Sequence, residues 1–224
     1  MESITVGLGE RSYPIYIGTN LEYGKLIKQA LPKVKDLMVV TNDTVGPLYF
    51  EKVQKSLQEQ GFNVHECVLK DGECYKTLDS WWQILTTLLE QQFGRDGAIV
   101  ALGGGVVGDT TGYVAATYLR GIDFIQIPTS LLAQVDSSIG GKTGVDYMQY
   151  KNMVGAFYQP KLVYMNLNVL KTLPKDQLVS GFGEILKHGL IKEYAYFNWM
   201  REHYEAILDL DYEAIEEMVY VSCN

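Results

Sequence analysis

Two rhythms of apolar and polar residues alternate along the chain. Short apolar or alternating runs read as strands: Ser3 to Leu8, Tyr13 to Ile17, Leu37 to Thr41, Asn63 to Leu69, Ala98 to Leu102, Phe124 to Ile127 and Leu162 to Met165. A Gly9-Glu10 turn joins the first two. Between later strands the apolar spacing becomes helical. A helix capped by Asn20 runs to about Leu31 and stops at Pro32; another spans Val45 to Gln60 and closes at Gly61. Leu78 to Phe93 and Thr110 to Tyr118 follow, the latter ending near Arg120-Gly121. Strand–helix repetition of this kind predicts a mainly parallel sheet with helices on its faces, a Rossmann-like α/β fold.

Past Pro174 the pattern is helical only: roughly Gly181 to Ile191, Ala195 to Ile207 and Tyr212 onward. A boundary near Leu173-Pro174 follows, with an α/β domain over 1–173 and the beginning of an all-helical domain over 174–224. Some 50 residues make a poor independent core, and the last helix stops without a clear C-cap or a polar tail, so the chain is expected to stop inside that domain.

The 224 residues are 47% hydrophobic and 21% charged, ordinary for a globular protein. No apolar run approaches the ~20 residues of a membrane helix, and Met1-Glu2-Ser3-Ile4 lacks signal-peptide character. A net charge of −8 argues against general binding to nucleic acid or anionic membranes, while leaving room for a small anion. Cys67, Cys74 and Cys223 have no metal-ligand spacing and fit reduced thiols, which with the other signals points to the cytoplasm.

The chemistry centres on Gly103-Gly104-Gly105-Val106-Val107-Gly108-Asp109. A strand that ends in clustered glycines and opens onto a helix cradles phosphate, because backbone N–H groups approach the anion at the helix N-terminus. Gly103, Gly105 and Gly108 also satisfy the dinucleotide spacing G-x-G-x-x-G, and Asp109 reads as a helix cap that can also contact a cofactor. Asp71-Gly72-Glu73 leaves the strand before it and offers carboxylates to ribose hydroxyls. Loops starting at Asp71, Gly103 and Pro128 all leave carboxyl ends of strands and should converge on one crevice.

Gln134 to Lys151 is rich in Gly, Ser, Asp and Lys and reads as a long functional loop, too polar for the core. Gly140-Gly141-Lys142-Thr143 resembles the tail of a P-loop. No glycine stands at the required distance upstream and no strand leads into it, which excludes that site. A loop with lysine and amide donors suited to an anionic substrate remains. Lys151, Asn152 and Arg120 add to it. On the helix after Pro174, Glu184, Lys187 and His188 share a face. Glu184 and His188 offer two donors, one fewer than a catalytic zinc normally takes from protein, and His65 and His203 read as structural or exposed.

Five stretches occur in an order that resembles 3-dehydroquinate synthase, among the sugar phosphate cyclases. They are Asp71-Gly72-Glu73 with Tyr75-Lys76, Gly103 to Asp109, Gln134 to Thr143, Lys151 to Pro160, and Leu170-Lys171-Thr172-Leu173-Pro174. The resemblance implies a lyase of the shikimate route to aromatic amino acids. Its substrate would be 3-deoxy-D-arabino-heptulosonate 7-phosphate. A ring alcohol is oxidised by NAD, phosphate is eliminated, the hydride returns, and an intramolecular aldol step closes 3-dehydroquinate.

The resemblance also implies site residues. Asp71, Gly72, Glu73, Cys74, Tyr75, Lys76, Gly105, Val106, Val107, Gly108, Asp109, Thr129, Ser130, Lys142, Lys151, Val169, Leu170, Lys171 and Thr172 would contact NAD. Asp136, Lys142, Asn152, Lys187 and Arg120 would form the catalytic and substrate centre, Arg120 reaching the phosphate from a neighbouring subunit of a homodimer. Glu184 would bind a divalent metal, zinc or cobalt. The family's two histidine ligands lie beyond Asn224, so this chain alone is expected to bind NAD without turning over. The open alternatives are another cyclase such as 2-deoxy-scyllo-inosose synthase, an iron-dependent alcohol or glycerol dehydrogenase, and an NAD-binding module without catalysis.

Overall fold

The structure is a computed structural model that describes residues 2–19 and 22–224. Asn20, the expected cap of the first helix, lies outside the described residues. Seven strands form one sheet: β1 (Glu2–Val6), β2 (Tyr13–Gly18), β3 (Asp36–Asn42), β4 (Asn63–Leu69), β5 (Ala98–Gly103), β6 (Asp123–Pro128) and β9 (Leu162–Asn166). The order is β1-β2-β9-β6-β5-β3-β4, antiparallel only between β1 and β2. β7 (Lys142–Tyr147) and β8 (Tyr150–Phe157) pair as a separate antiparallel hairpin.

The inner strands are buried on both faces, as a parallel sheet requires. Leu37 and Val39 of β3 and Ala98, Val100 and Leu102 of β5 face α1 (Tyr23–Ala30) and α2 (Gly46–Gln58), joining a core with Ile27, Val53 and Leu57. Their alternates Met38, Val40, Ile99 and Ala101 face α3 (Leu78–Glu90) and α4 (Gly105–Thr117), with Ile84, Leu88 and Val114. α4 has scarcely a polar face because the hairpin covers its outer side. A Cβ on Gly112 would meet the Thr143 methyl on one side and Phe124 on the other.

Three helices follow: α5 (Lys175–Lys192), α6 (Tyr194–Leu208) and α7 (Tyr212–Cys223). They build no core of their own. Leu178, Ile185, Met200, Ile215 and Met218 pack with Tyr13, Ile15, Ile17, Val163 and Met165 of the sheet. Among the described residues no helix is long and apolar enough to cross a membrane.

Four local expectations are corrected. α4 begins at Gly105, capped by Gly104, so Asp109 lies inside the helix and does not cap it. Val106 and Val107 enter the helix because Val107 is needed against the sheet, where it is buried. The helix ends at Thr117, followed by a 3-10 turn, Tyr118–Arg120, in which Leu119 and Arg120 take positive φ. α5 begins at Lys175 rather than Gly181; the glycines mask helix propensity, yet Gly181 sits against Leu131, where a Cβ would come within 2.8 Å. The stretch from Gln134 is also no open loop. Ala133–Ser137 forms a π-helical turn, Gln134, Ser138 and Thr143 are buried, and the hairpin follows. Its turn carries Met148 at φ +54 instead of the glycine or asparagine that announces a hairpin.

Candidate active site

In an open α/β sheet ligands collect outside the carboxyl ends of strands, where the strand order reverses. Here β3 leads outward to β4, while β5 returns on β3's other side and continues to β6. The loops after β3, β4, β5 and β6 surround a cavity of about 650 Å³, lined by Asn42, Asp71, Gly72, Glu73, Lys76, Gly104 to Val107, Thr129 and Ser130 among others. The expected convergence of the Asp71, Gly103 and Pro128 loops is therefore observed.

The glycine turn forms its floor. Gly108 packs on β6, where a Cβ would lie 2.7 Å from Gln126, so the helix can approach the sheet closely only without a side chain there. Gly108 N–H donates to the Gly104 carbonyl at 3.0 Å. Gly104 provides no side-chain cap, leaving the first-turn N–H groups of α4 for a ligand at the positive end of the helix. A Cβ on Gly105 would come within 3.0 Å of Ser137 Oγ, so a larger residue would crowd that hydroxyl at the mouth of the cradle. Opposite, the Thr129 N–H is held by the Gly103 carbonyl at 3.0 Å. These features fit a dinucleotide pyrophosphate.

The wall is built by charge. Lys76, 5% exposed, donates to Asp109 Oδ2 at 2.5 Å and to Asn152 Oδ1 at 2.6 Å. Burial pushes the Asp109 carboxyl up to about 6, against the opposing pull of the Lys76 charge. Asp71 accepts from Asn42 Nδ2 at 2.8 Å and Thr44 Oγ1 at 2.9 Å, and its N–H donates to Asp43. Glu73 pairs with Lys151 at 3.1 Å, which holds that exposed lysine above its usual range.

Asp109, Asp136, Ser137 and Asn152 also line a second cavity of about 550 Å³ beneath the hairpin, with Lys142, Thr143 and Gly155. The residues singled out from the sequence thus divide between two connected spaces. Thr172 closes the first from α2's side, bonded to the Tyr49 hydroxyl. Lys187 lies beside Glu184, whose hydrogen bond and charge, with Asp136 beyond, raise its pKa.

Others stand apart. Arg120 is exposed and lines neither cavity. Val169 and Leu170 are buried, Lys171 lies over the Tyr212 ring at 4.9 Å, and Cys74 and Tyr75 are exposed beside the first cavity without lining it. His65 bonds Gln91 and His203 stacks on Trp199. Asn42, Thr44 and Tyr49 line the site although no motif singles them out. The available signal was the position of Asn42 and Thr44 at the carboxyl end of β3.

The metal position is different. Glu184 has His188 Nε2 at 3.6 Å, and among the described residues no group of three or more His, Cys, Asp or Glu could hold a metal ion. A catalytic zinc takes three protein ligands, so these residues alone do not fit one.

Fold and crevice define an α/β protein of the Rossmann-like class with a helical extension. Residues 66–180 match the family model described as 3-dehydroquinate synthase N-terminal, and the chain belongs to that family. Among solved structures it is similar to 2-epi-5-epi-valiolone synthase from Streptomyces hygroscopicus with NAD+ and Zn2+ bound. That match has 27% identity and a TM-score of 0.88 over 97% of this chain and 61% of that one. A 2-deoxy-scyllo-inosose synthase complexed with carbaglucose-6-phosphate, NAD+ and Co2+ shares the fold at 21% identity and TM-score 0.78, over 98% and 64%. An NADH-dependent butanol dehydrogenase from Thermotoga maritima shares it at 17% and 0.71, over 93% and 60%. The chain therefore spans somewhat under two thirds of these relatives.

Proposed function

We propose that this chain is the NAD-binding portion of a sugar phosphate cyclase, and that the whole protein acts as a 3-dehydroquinate synthase. The observation that carries the reading is the buried Lys76 shared by Asp109 and Asn152 where the two cavities meet. It places a fixed cation between a phosphate cradle and a second polar space.

When bound, NAD would supply a transient hydride acceptor for a ring alcohol, with no net redox change. The residues of this chain hold that chemistry in place. The α4 N-terminus takes the pyrophosphate, while Glu73 and Asp71 face the ribose side. Lys76, Asp109 and Asn152 fix the border between cofactor and sugar. Lys142 supplies positive charge to the second cavity for an anionic substrate, and Lys187, paired with Glu184 and within electrostatic reach of Asp136, adds a further cation to the substrate centre. Glu184 is the carboxylate assigned to the divalent metal, zinc or cobalt, of the whole protein; the described residues do not complete that site. The whole protein is proposed to be a cytoplasmic homodimer in which Arg120 serves the neighbouring subunit's phosphate.

NAD titrated calorimetrically into this chain should bind at one site and bind at least tenfold more weakly after Lys76→Met. No binding would refute the reading. In the whole protein, inorganic phosphate should be released from 3-deoxy-D-arabino-heptulosonate 7-phosphate with NAD and zinc. The likeness to 2-epi-5-epi-valiolone synthase favours a second reading, another sugar phosphate cyclase that takes a different sugar phosphate. Phosphate released from such a sugar and not from the heptulosonate would select it.

A further inference from the structure

Asn152 has an unusual backbone. It takes φ +56, the left-handed region that asparagine enters more readily than other non-glycine residues. The hairpin register explains where it arises. Val145 pairs with Val154 and Tyr147 with Tyr150, so Asp146 faces the three residues Lys151, Asn152 and Met153. This is a bulge, and bulges beside active sites re-aim side chains. The half-buried Asp146 carboxylate fills it, accepting the Asn152 N–H at 2.7 Å. Asp146 is tied down in turn, since its own N–H donates to the Lys76 carbonyl at 2.8 Å. The Asn152 side chain then meets Lys76 Nζ at 2.6 Å. A closed circuit runs from the Lys76 backbone through Asp146 and Asn152 to the Lys76 ammonium.

We propose that Asp146 is a positioning residue: its carboxylate holds the bulge that aims Asn152 at Lys76, joining the hairpin to the cofactor loop. The inference deepens the cofactor reading and rests on it only for what the binding assay means. Asp146 lines neither cavity. Its influence passes through Asn152, so a substitution at Asp146 should have no further effect once Asn152 is gone.

The test measures NADH affinity by fluorescence and the water exchange of the Lys76 ammonium protons by nitrogen-15 NMR. Asp146→Asn retains an acceptor and should bind within twofold of the parent with those protons still protected. Asp146→Ala should bind at least tenfold more weakly and expose them. Asn152→Gly, which accepts positive φ without help, should match Asp146→Ala, and the double variant should lose nothing more. Affinity within twofold of the parent in Asp146→Ala, or losses that multiply in the double variant, overturn the proposal. If Asp146→Ala does not fold, protected ammonium protons in Asn152→Gly overturn it instead. A parent chain that binds no NADH while its Lys76 protons are protected and exposed by Asp146→Ala would sink the cofactor reading and leave this one standing.

Discussion

Asp109 carries the charge balance of the site. Burial lifts its carboxyl from 3.8 to about 6, while the Lys76 ammonium pulls it back and Asp136 and Glu73 add to the rise. Lys76→Met should therefore raise it further, as carbon-13 titration of the carboxyl would show. A folded-state value above the unfolded one means that the folded chain holds this proton more tightly. The resulting stabilisation is full below the ordinary value and is lost as pH rises through about 6. Asp109→Asn, which does not titrate, should gain on the parent from pH 4 to pH 7, by an amount on the order of 2 kcal/mol in urea unfolding. A flat difference between the two would place Asp109 in a more polar setting. The sequence showed Asp109 as part of a glycine turn, but not this pairing, because Lys76 lies 33 positions away and comes from another loop.

At the scale of elements, two glycines of similar appearance in sequence should behave oppositely. Gly155 of β8 lies against β7, where a Cβ would strike the Thr143 carbonyl, a backbone atom that cannot turn aside. Gly155→Ala should cost about 1–3 kcal/mol and push β8 away from β7. Gly183 lies inside α5 with open space where a methyl group would stand, nothing coming within 4 Å, so Gly183→Ala should stabilise by about 0.4–1 kcal/mol. Urea midpoints at a common pH compare them. The hairpin was the element least legible in sequence. Its strand Tyr150–Phe157 is mostly exposed and mixes Lys151, Asn152 and glycine with apolar residues, leaving no period-two pattern. The parallel strands were legible because burial on both faces demands nearly unbroken apolar runs.

On the scale of the molecule, the two cavities share one border while Arg120 lies outside both. If the whole protein works as a two-fold homodimer, Arg120 acts across the interface. Mixing inactive Arg120→Ala with inactive Lys76→Met should then restore phosphate release to about a quarter of the parent, since mixed dimers hold one intact site each. Activity that stays near zero after subunit exchange would return Arg120 to the surface. Lys142 brings its positive charge to the lining of the second cavity. Lys142→Met should therefore reduce kcat/KM for the carboxylate-bearing heptulosonate at least tenfold while leaving NAD affinity nearer to that of the parent.

The order of strands and helices, the glycine cradle and the short segments that define the family were determined by sequence alone. Each is local: period two or 3.6, a strand followed by glycines, and side chains within a few residues of one another. The tertiary structure decided what depends on distant partners. It buried Gln134, placed Asp109 inside a helix rather than at its cap, turned a polar stretch into a hairpin, and joined the helices after Pro174 to the core of the sheet. It also brought Lys76, Asp109, Asp146 and Asn152 into one circuit. The physical reason is that a buried charge or a bent strand is stable only with its partners in place, and no single segment contains them.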